Sequence, residues 1–103
     1  MIGIDVVGVE EFRRQLDLGG ANFVRRAFGD GESLDSGVLR LAGMWAAKEA
    51  VCKAASAPPE RWSDVEIIFD DVCAPWGRIR GERFGLTISS EPDFVIALAV
   101  RLT

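Results

Sequence analysis

A chain of 103 residues makes one small domain, and 49% apolar with 27% charged residues describes a globular protein rather than a disordered one. A net charge of −4 excludes bulk nucleic-acid binding, which needs an overall basic surface or a dense basic face. No apolar run approaches the ~18 residues of a membrane span, and Met1-Ile2-Gly3 opens neither a basic segment nor a signal-like apolar core, so the expected compartment is the cytoplasm.

The first predicted element is a short strand over Ile2-Gly3-Ile4-Asp5-Val6-Val7, rich in β-branched residues and followed by Gly8. Helical spacing through Val9, Phe12 and Leu16 predicts a short helix to Leu18, stopped at Gly19-Gly20. Phe23 to Phe28 is ambiguous, and Gly29-Asp30-Gly31 reads as a turn. Ser33 or Asp35 is a candidate N-cap for a long helix reaching about Ala57, which Pro58-Pro59 terminates. Beyond it the period changes to two, with Val65, Ile67 and Phe69 alternating with Asp64, Glu66 and Asp70. Ala74-Pro75-Trp76-Gly77 reads as a turn and Arg78-Ile79-Arg80 as a brief edge-like strand. Phe84 to Ser90 is another strand, Glu91-Pro92-Asp93 a tight connection, and Phe94 to Leu102 a buried final strand. This succession predicts an α+β fold in a single domain over 1–103: an antiparallel sheet packed against one long helix, plus the short N-terminal helix.

The long helix carries the first sign of chemistry. At ~100° per residue, Leu34, Val38, Leu41, Trp45 and Cys52 share a stripe roughly 60° wide. Lys48 falls ~20° beyond one edge of it and Glu49 ~20° beyond the other, with Lys53 one turn after Glu49. Charges at the border of a core are candidates for function, because desolvating an unpaired charge costs several kcal/mol. The plain alternative is a Glu49–Lys53 helix pair worth roughly 0.3–0.5 kcal/mol.

The chain has no histidine, which removes Ser-His-Asp and Cys-His nucleophiles and any imidazole base. Two cysteines, Cys52 and Cys73, are expected as reduced thiols and cannot make the usual zinc site. Catalysis then falls to carboxylates, lysines, arginines or a metal held by oxygen ligands. Asp5 on the first strand and Glu49 on the helix would together give hard oxygen ligands suited to Mg²⁺. Lys48 and Lys53 would lie near as donors to phosphate charge. Arg13-Arg14, Arg25-Arg26 and the group Arg78, Arg80 and Arg83 form local basic patches suited to phosphate or an acidic partner.

Three segments in order carry a family resemblance. Gly3-Ile4-Asp5-Val6-Val7, then Trp45-Ala46-Ala47-Lys48-Glu49-Ala50 with Lys53, then Ile88-Ser89-Ser90 leading into Phe94-Val95-Ile96-Ala97-Leu98-Ala99-Val100 span essentially the whole chain. The combination resembles the 4'-phosphopantetheinyl transferase superfamily, specifically the small holo-acyl-carrier-protein synthase type. The resemblance implies a Mg²⁺-dependent transfer of phosphopantetheine from coenzyme A to a serine hydroxyl of an acyl or peptidyl carrier protein, in one dedicated pathway of the fatty acid or polyketide kind. Asp5 and Glu49 are then the expected metal ligands, with Glu49 also assisting deprotonation of the serine. Lys53 is expected to stabilise the pyrophosphate and Lys48 to contact the phosphates. It also implies a homotrimer with sites shared between neighbouring subunits. No nucleic acid and no membrane is expected as partner.

Departures from the family pattern fall on substrate contacts. Met44 stands where the family usually has arginine, and Ser90, the candidate cofactor contact, where it usually has histidine; both family residues are associated with coenzyme A phosphates. The first-helix stretch Val9-Glu10-Glu11-Phe12 lacks the usual carrier-docking arginine, so Arg13, Arg14, Arg25 and Arg26 are the candidate carrier contacts. These departures motivate a second expectation: a repurposed transferase fold that binds carrier proteins, or acts on their tethered cargo, without transferring the arm.

Overall fold

Alternating apolar residues at the N-terminus and through the second half of the chain build one five-stranded antiparallel sheet. The computed structural model describes residues 1–69 and 75–103. In chain order the elements are β1 (Ile2–Gly8), α1 (Val9–Phe28), α2 (Val38–Ala54), β2 (Glu66–Ile68), β3 (Trp76–Ile79), β4 (Glu82–Ser90) and β5 (Phe94–Arg101). The strand order is β1-β5-β4-β3-β2, so the first and last long strands pair, with Asp5 opposite Ala97 and Ala97 opposite Ile88. One face of this sheet is covered by α2, and α1 packs on α2. The predicted layering is therefore observed. Among the described residues no helix is long and apolar enough to cross a membrane.

Several boundaries differ from expectation, each for a local reason. The first helix is not short: helical geometry resumes after a break at Gly20, where φ is 57° and ψ −149°, a conformation open to glycine at little cost. The ambiguous segment Phe23 to Phe28 is its second half, held by burial of Phe23, Val24, Ala27 and Phe28. Helix α2 starts at Val38 rather than near Asp35, because Ser33 and Ser36 cap a separate turn of 3-10 helix over Leu34–Ser36. It ends at Ala54, short of the prolines, and Ala55 is already extended. The strand expected over 64–70 is only Glu66–Ile68, and Asp64 closes a 3-10 turn. Trp76-Gly77 begins a strand rather than forming a turn, and β3 lies between β2 and β4 rather than at the edge. Asp70, Cys73 and Ala74 lie outside the described residues.

The largest correction concerns which side of α2 meets the sheet. Of the bulky stripe, Leu41 is fully buried but Val38, Trp45 and Cys52 are only half-buried, and Leu34 lies outside the helix, 47% exposed. The fully buried side runs through Ala46, Ala47, Ala50 and Ala54, about 180° around the helix. Small side chains let the helix backbone approach the strands, and Gly3 shows how closely. A Cβ on Gly3 would stand 2.0 Å from the carbonyl oxygen of Ala50 and 2.9 Å from the amide nitrogen of Ala54. Neither backbone atom can swing aside as a side chain would.

Strand β5 reads as continuously apolar because both of its faces are. Val95, Ala97 and Ala99 are buried under α2, while Ile96, Leu98 and Val100 sit on the opposite face. There they pair across strands with Val6, Ile4 and Ile2, which are 59%, 54% and 66% exposed.

The contact at Gly3 predicts that Gly3→Ala forces β1 and α2 apart. Overpacking typically costs 1–3 kcal/mol, and a clash with backbone belongs at the upper end, so we expect a loss of about 3 kcal/mol and a Tm fall on the order of 15 °C. Thermal unfolding followed by circular dichroism measures this; an unchanged Tm would show that the two elements do not meet at Gly3.

Candidate active site

Burial of one wall and exposure of another bring three of the predicted side chains together where β1 lies against α2. Asp5 points to the helix side of its strand and is 8% exposed. Lys53 Nζ donates to Asp5 Oδ1 at 2.9 Å and to the carbonyl oxygen of Ile4 at 3.0 Å, while its side chain remains half exposed. Glu49, one turn before Lys53, is near enough to Asp5 for the two carboxyls to influence each other's charge. The spacing predicted from sequence is thus realised, and the i,i+4 alternative is replaced by a pairing of Lys53 with Asp5.

The electrostatics of this cluster are unbalanced. Burial, and then the neighbouring Asp5 charge, push the Glu49 carboxyl up to about 7, with Lys53 opposing the shift. Asp5 holds the Lys53 ammonium above its ordinary value, chiefly through their hydrogen bond. Asp5 Oδ2 is buried and has no hydrogen-bond partner in the protein. An orphaned carboxylate oxygen is costly in an interior. A second carboxylate beside it, and oxygen as the only donor type, suit a hard cation such as Mg²⁺. Among the described residues no third histidine, cysteine or acidic group completes a protein cage. That leaves coordination positions for water and phosphate oxygens, the usual state of a Mg²⁺ site.

Lys48 takes a different part from the one expected. The residue is 3% exposed, and its ammonium donates to the carbonyl oxygens of Ala27, at 2.6 Å, and Trp62, at 2.9 Å, beneath the Phe28 ring. Burial lowers it to about 8. Lys48 therefore ties the end of α1 to the turn at Trp62 instead of reaching for phosphate, because two carbonyls satisfy an ammonium that has lost its water. Cys52, next on the helix face, is pushed up to about 11 by burial and stays a thiol.

Met44 and Ser90 do not join the Asp5 cluster. Both line a separate cavity of about 450 Å³, with Leu39, Gly43, Leu86 and Ile88 among its apolar walls. Its only cation among the described residues is Arg40, which is already bound to Glu32 at 2.7 and 3.0 Å. The three arginines of the β3–β4 hairpin are also engaged: Arg78 pairs with Glu66 at 3.0 Å and Arg80, in the turn, donates to the carbonyls of Ala57 and Pro58. Arg83 stacks its guanidinium over Trp76 at 5.2 Å. On α1, Arg13 leans on Glu10, whereas Arg14, Arg25 and Arg26 stand exposed.

Sequence reasoning missed Gly3, whose signal was a glycine inside a β-branched run. It also missed Gln15, which lines a small cavity against Glu49 together with Glu11; a polar residue one turn past Glu11 carried no distinguishing signal.

Comparison with known proteins gives the family. The sequence profile of the 4'-phosphopantetheinyl transferase superfamily matches residues 1–99. The chain is 35% identical to a holo-[acyl-carrier-protein] synthase of Mycobacterium ulcerans, over 96% of this chain and 93% of that one. Its fold superimposes with a TM-score of 0.86 on the Helicobacter pylori synthase crystallised with coenzyme A, at 23% identity, covering 99% of this chain and all of the other. A Bacillus anthracis synthase in complex with CoA (3',5'-ADP) gives a TM-score of 0.77 at 26% identity, over 97% and 93% of the two chains. The chain belongs to the 4'-phosphopantetheinyl transferase superfamily and is a transferase of the small holo-acyl-carrier-protein synthase type.

Proposed function

We propose that this protein transfers 4'-phosphopantetheine from coenzyme A to a serine of an acyl or peptidyl carrier protein, in a Mg²⁺-dependent reaction dedicated to one pathway. The observation that carries this reading is the convergence of Asp5, Glu49 and Lys53, with Asp5 Oδ2 left without a partner. Asp5 and Glu49 would hold Mg²⁺, which when bound neutralises charge building on the pyrophosphate. Lys53 keeps a half-exposed ammonium beside the carboxylates and offers its remaining N–H to the departing phosphate. Glu49, as a carboxylate at the point of attack, accepts the proton of the serine hydroxyl.

The oligomer belongs to the same proposal. Ile2, Ile4 and Val6 on β1 and Ile96, Leu98 and Val100 on β5 form an apolar sheet face with no covering layer in the monomer. A sheet with two apolar faces needs a second partner, and a homotrimer in which these faces meet would supply it. A competing reading, carrier binding without transfer, is favoured by one observation: the cavity of Met44 and Ser90 offers an anionic substrate no uncommitted cation among the described residues.

Mass spectrometry of apo-carrier incubated with coenzyme A and Mg²⁺ separates the two readings, the first expecting the phosphopantetheine mass increase and release of adenosine 3',5'-bisphosphate. Removing a charge-assisted contact that forms with the reacting groups costs about 2.7–4 kcal/mol, so Asp5→Ala and Glu49→Ala should each lower kcat/KM by 10²–10³-fold. Lys53→Ala should do so by a similar factor. Retained activity in both carboxylate variants would end the proposal.

The raised Glu49 carboxyl also sets a pH dependence. Below about 7 the metal-free protein keeps a proton on Glu49 that Mg²⁺ must expel, so affinity should fall as pH drops from 7 towards 5, up to tenfold per unit. Titration calorimetry in buffers of different ionisation enthalpy should show proton release at pH 6, and Glu49→Gln should show none. Equal affinity at pH 5.5 and 8 would contradict this.

For the sheet face, native mass spectrometry should give a trimer for the wild type and a monomer for Ile4→Glu. A monodisperse wild-type monomer at micromolar concentration would exclude the arrangement.

A further inference from the structure

Strand β3 returns as β4 through a two-residue loop, Arg80-Gly81, closed by the pairing of Ile79 with Glu82. Both loop residues have positive φ, 47° at Arg80 and 79° at Gly81, as a type I′ hairpin turn requires. Gly81 adopts that backbone at little cost. Arginine does not, because in the left-handed region its Cβ crowds the following carbonyl, and such turns favour asparagine, aspartate or glycine at this place. Among the described residues Arg80 is the only one other than glycine with a positive φ. A residue kept in a strained conformation points to a role for its side chain.

That side chain reaches the loop that leaves α2. Arg80 donates from Nη1 to the carbonyl oxygen of Pro58 at 3.0 Å and from Nη2 to that of Ala57. Two residues on, Glu82 accepts the Ser56 N–H on Oε1 at 3.2 Å and the Ser56 hydroxyl on Oε2 at 2.8 Å. Arg101 of β5 pairs with the same carboxylate at 3.4 Å. The hairpin thus grips Ser56, Ala57 and Pro58 in succession, with donors to two and an acceptor for the third. No residue from 55 to 64 is buried, so hydrogen bonds rather than packing decide where this loop lies.

The loop begins two residues after Lys53, in the last turn of α2. The final carbonyls of a helix have no partner within it, and the last turn frays unless the chain beyond is held. Burial pushes the Cys52 thiol up, and Arg80 is among the cations that oppose the shift, so its charge is felt one residue before Lys53.

We propose that Arg80 is a positioning residue for the transfer: by holding the loop at Ser56–Pro58 it keeps the last turn of α2 wound and Lys53 set against Asp5. The inference rests on the reading of Lys53 as the group that meets the departing phosphate. Arg80 acts on that group through the backbone, since its own donors are spent on carbonyls. Asparagine would suit the turn better, so the arginine gives up stability in the hairpin for order at the end of the helix.

The test replaces Arg80 by asparagine, which fits the turn but is too short to reach the loop, and in parallel by glycine. For both we expect a Tm no more than about 5 °C below wild type and faster amide hydrogen exchange confined to residues 52–57. The kcat for phosphopantetheine transfer should fall on the order of tenfold, with the KM for apo-carrier unchanged. Added to Lys53→Ala, Arg80→Asn should cost less than about twofold more, because the two act as one unit. Glu82→Ala, which frees Ser56 in the same loop, should speed exchange over the same residues. Unchanged exchange there, or a further full tenfold loss in the double variant, would overturn the proposal. So would a Tm fall above about 10 °C with faster exchange throughout the sheet, which would make Arg80 a residue of general stability. If the wild type transfers nothing, the transfer reading fails, and exchange at 52–57 alone judges the hold on Lys53: faster exchange in Arg80→Asn upholds it and unchanged exchange ends it.

Discussion

The approach of β1 to α2 at Gly3 is the constraint on which the rest of the structure depends. A strand and a helix normally stand about 10 Å apart, separated by side chains from both. Here the strand gives up its side chain at Gly3 and meets the backbone of Ala50 and Ala54 and the Cβ of Lys53, so backbone meets backbone. Two residues on, the next helix-facing position of β1 is Asp5. The close approach is what lets a short aspartate reach Lys53 and Glu49 on the helix. With a larger residue at position 3, the same three side chains would still be present in the sequence without sharing a site.

That geometry has an electrostatic cost that the fold does not relieve by itself. Asp5 satisfies one oxygen with Lys53 and leaves the other buried and bare, while Glu49 keeps its proton to about pH 7. A protein selected only for stability would place an amide or an aliphatic residue here. Lys48 shows the contrast: it is an equally buried charge, but two carbonyls and the face of Phe28 satisfy it. One lysine of the motif therefore holds the scaffold and the other serves the site, although helix spacing places both at the edge of the predicted core.

The fold class and the meeting of Asp5, Glu49 and Lys53 were legible because they depend on residue type and order. Alternation through Val65, Ile67 and Phe69 and the apolar run of the last strand pointed to the sheet, and Asp5, Glu49 and Lys53 could be singled out as charges in apolar company. The packed face of α2 was not legible in the same way. A reading that weights bulk puts Trp45 and Cys52 against the sheet, whereas close packing selects the alanines opposite them. The role of Lys48 was hidden for a similar reason, since its partners are the carbonyls of Ala27 and Trp62, 21 and 14 residues away. Backbone acceptors leave no mark in a sequence, so only tertiary structure tells a scaffold lysine from a phosphate-binding one.

The two sides of α2 now carry unequal shares of the proposed reaction. On the β1 side, Asp5, Glu49 and Lys53 concentrate charge where a pyrophosphate bond would break. On the other side, Met44 and Ser90 face an apolar cavity whose one cation among the described residues is held by Glu32. Each charge-assisted hydrogen bond to a bound phosphate contributes about 1.5–3 kcal/mol, so the absence of such donors from that cavity shifts the binding of an anionic substrate onto the Lys53 end. Groups placed at the reacting end stabilise charge as it develops and raise kcat, whereas remote phosphate contacts mainly lower KM. A transferase built this way would keep its chemical step and bind its co-substrate weakly. Discrimination would then rest on the carrier.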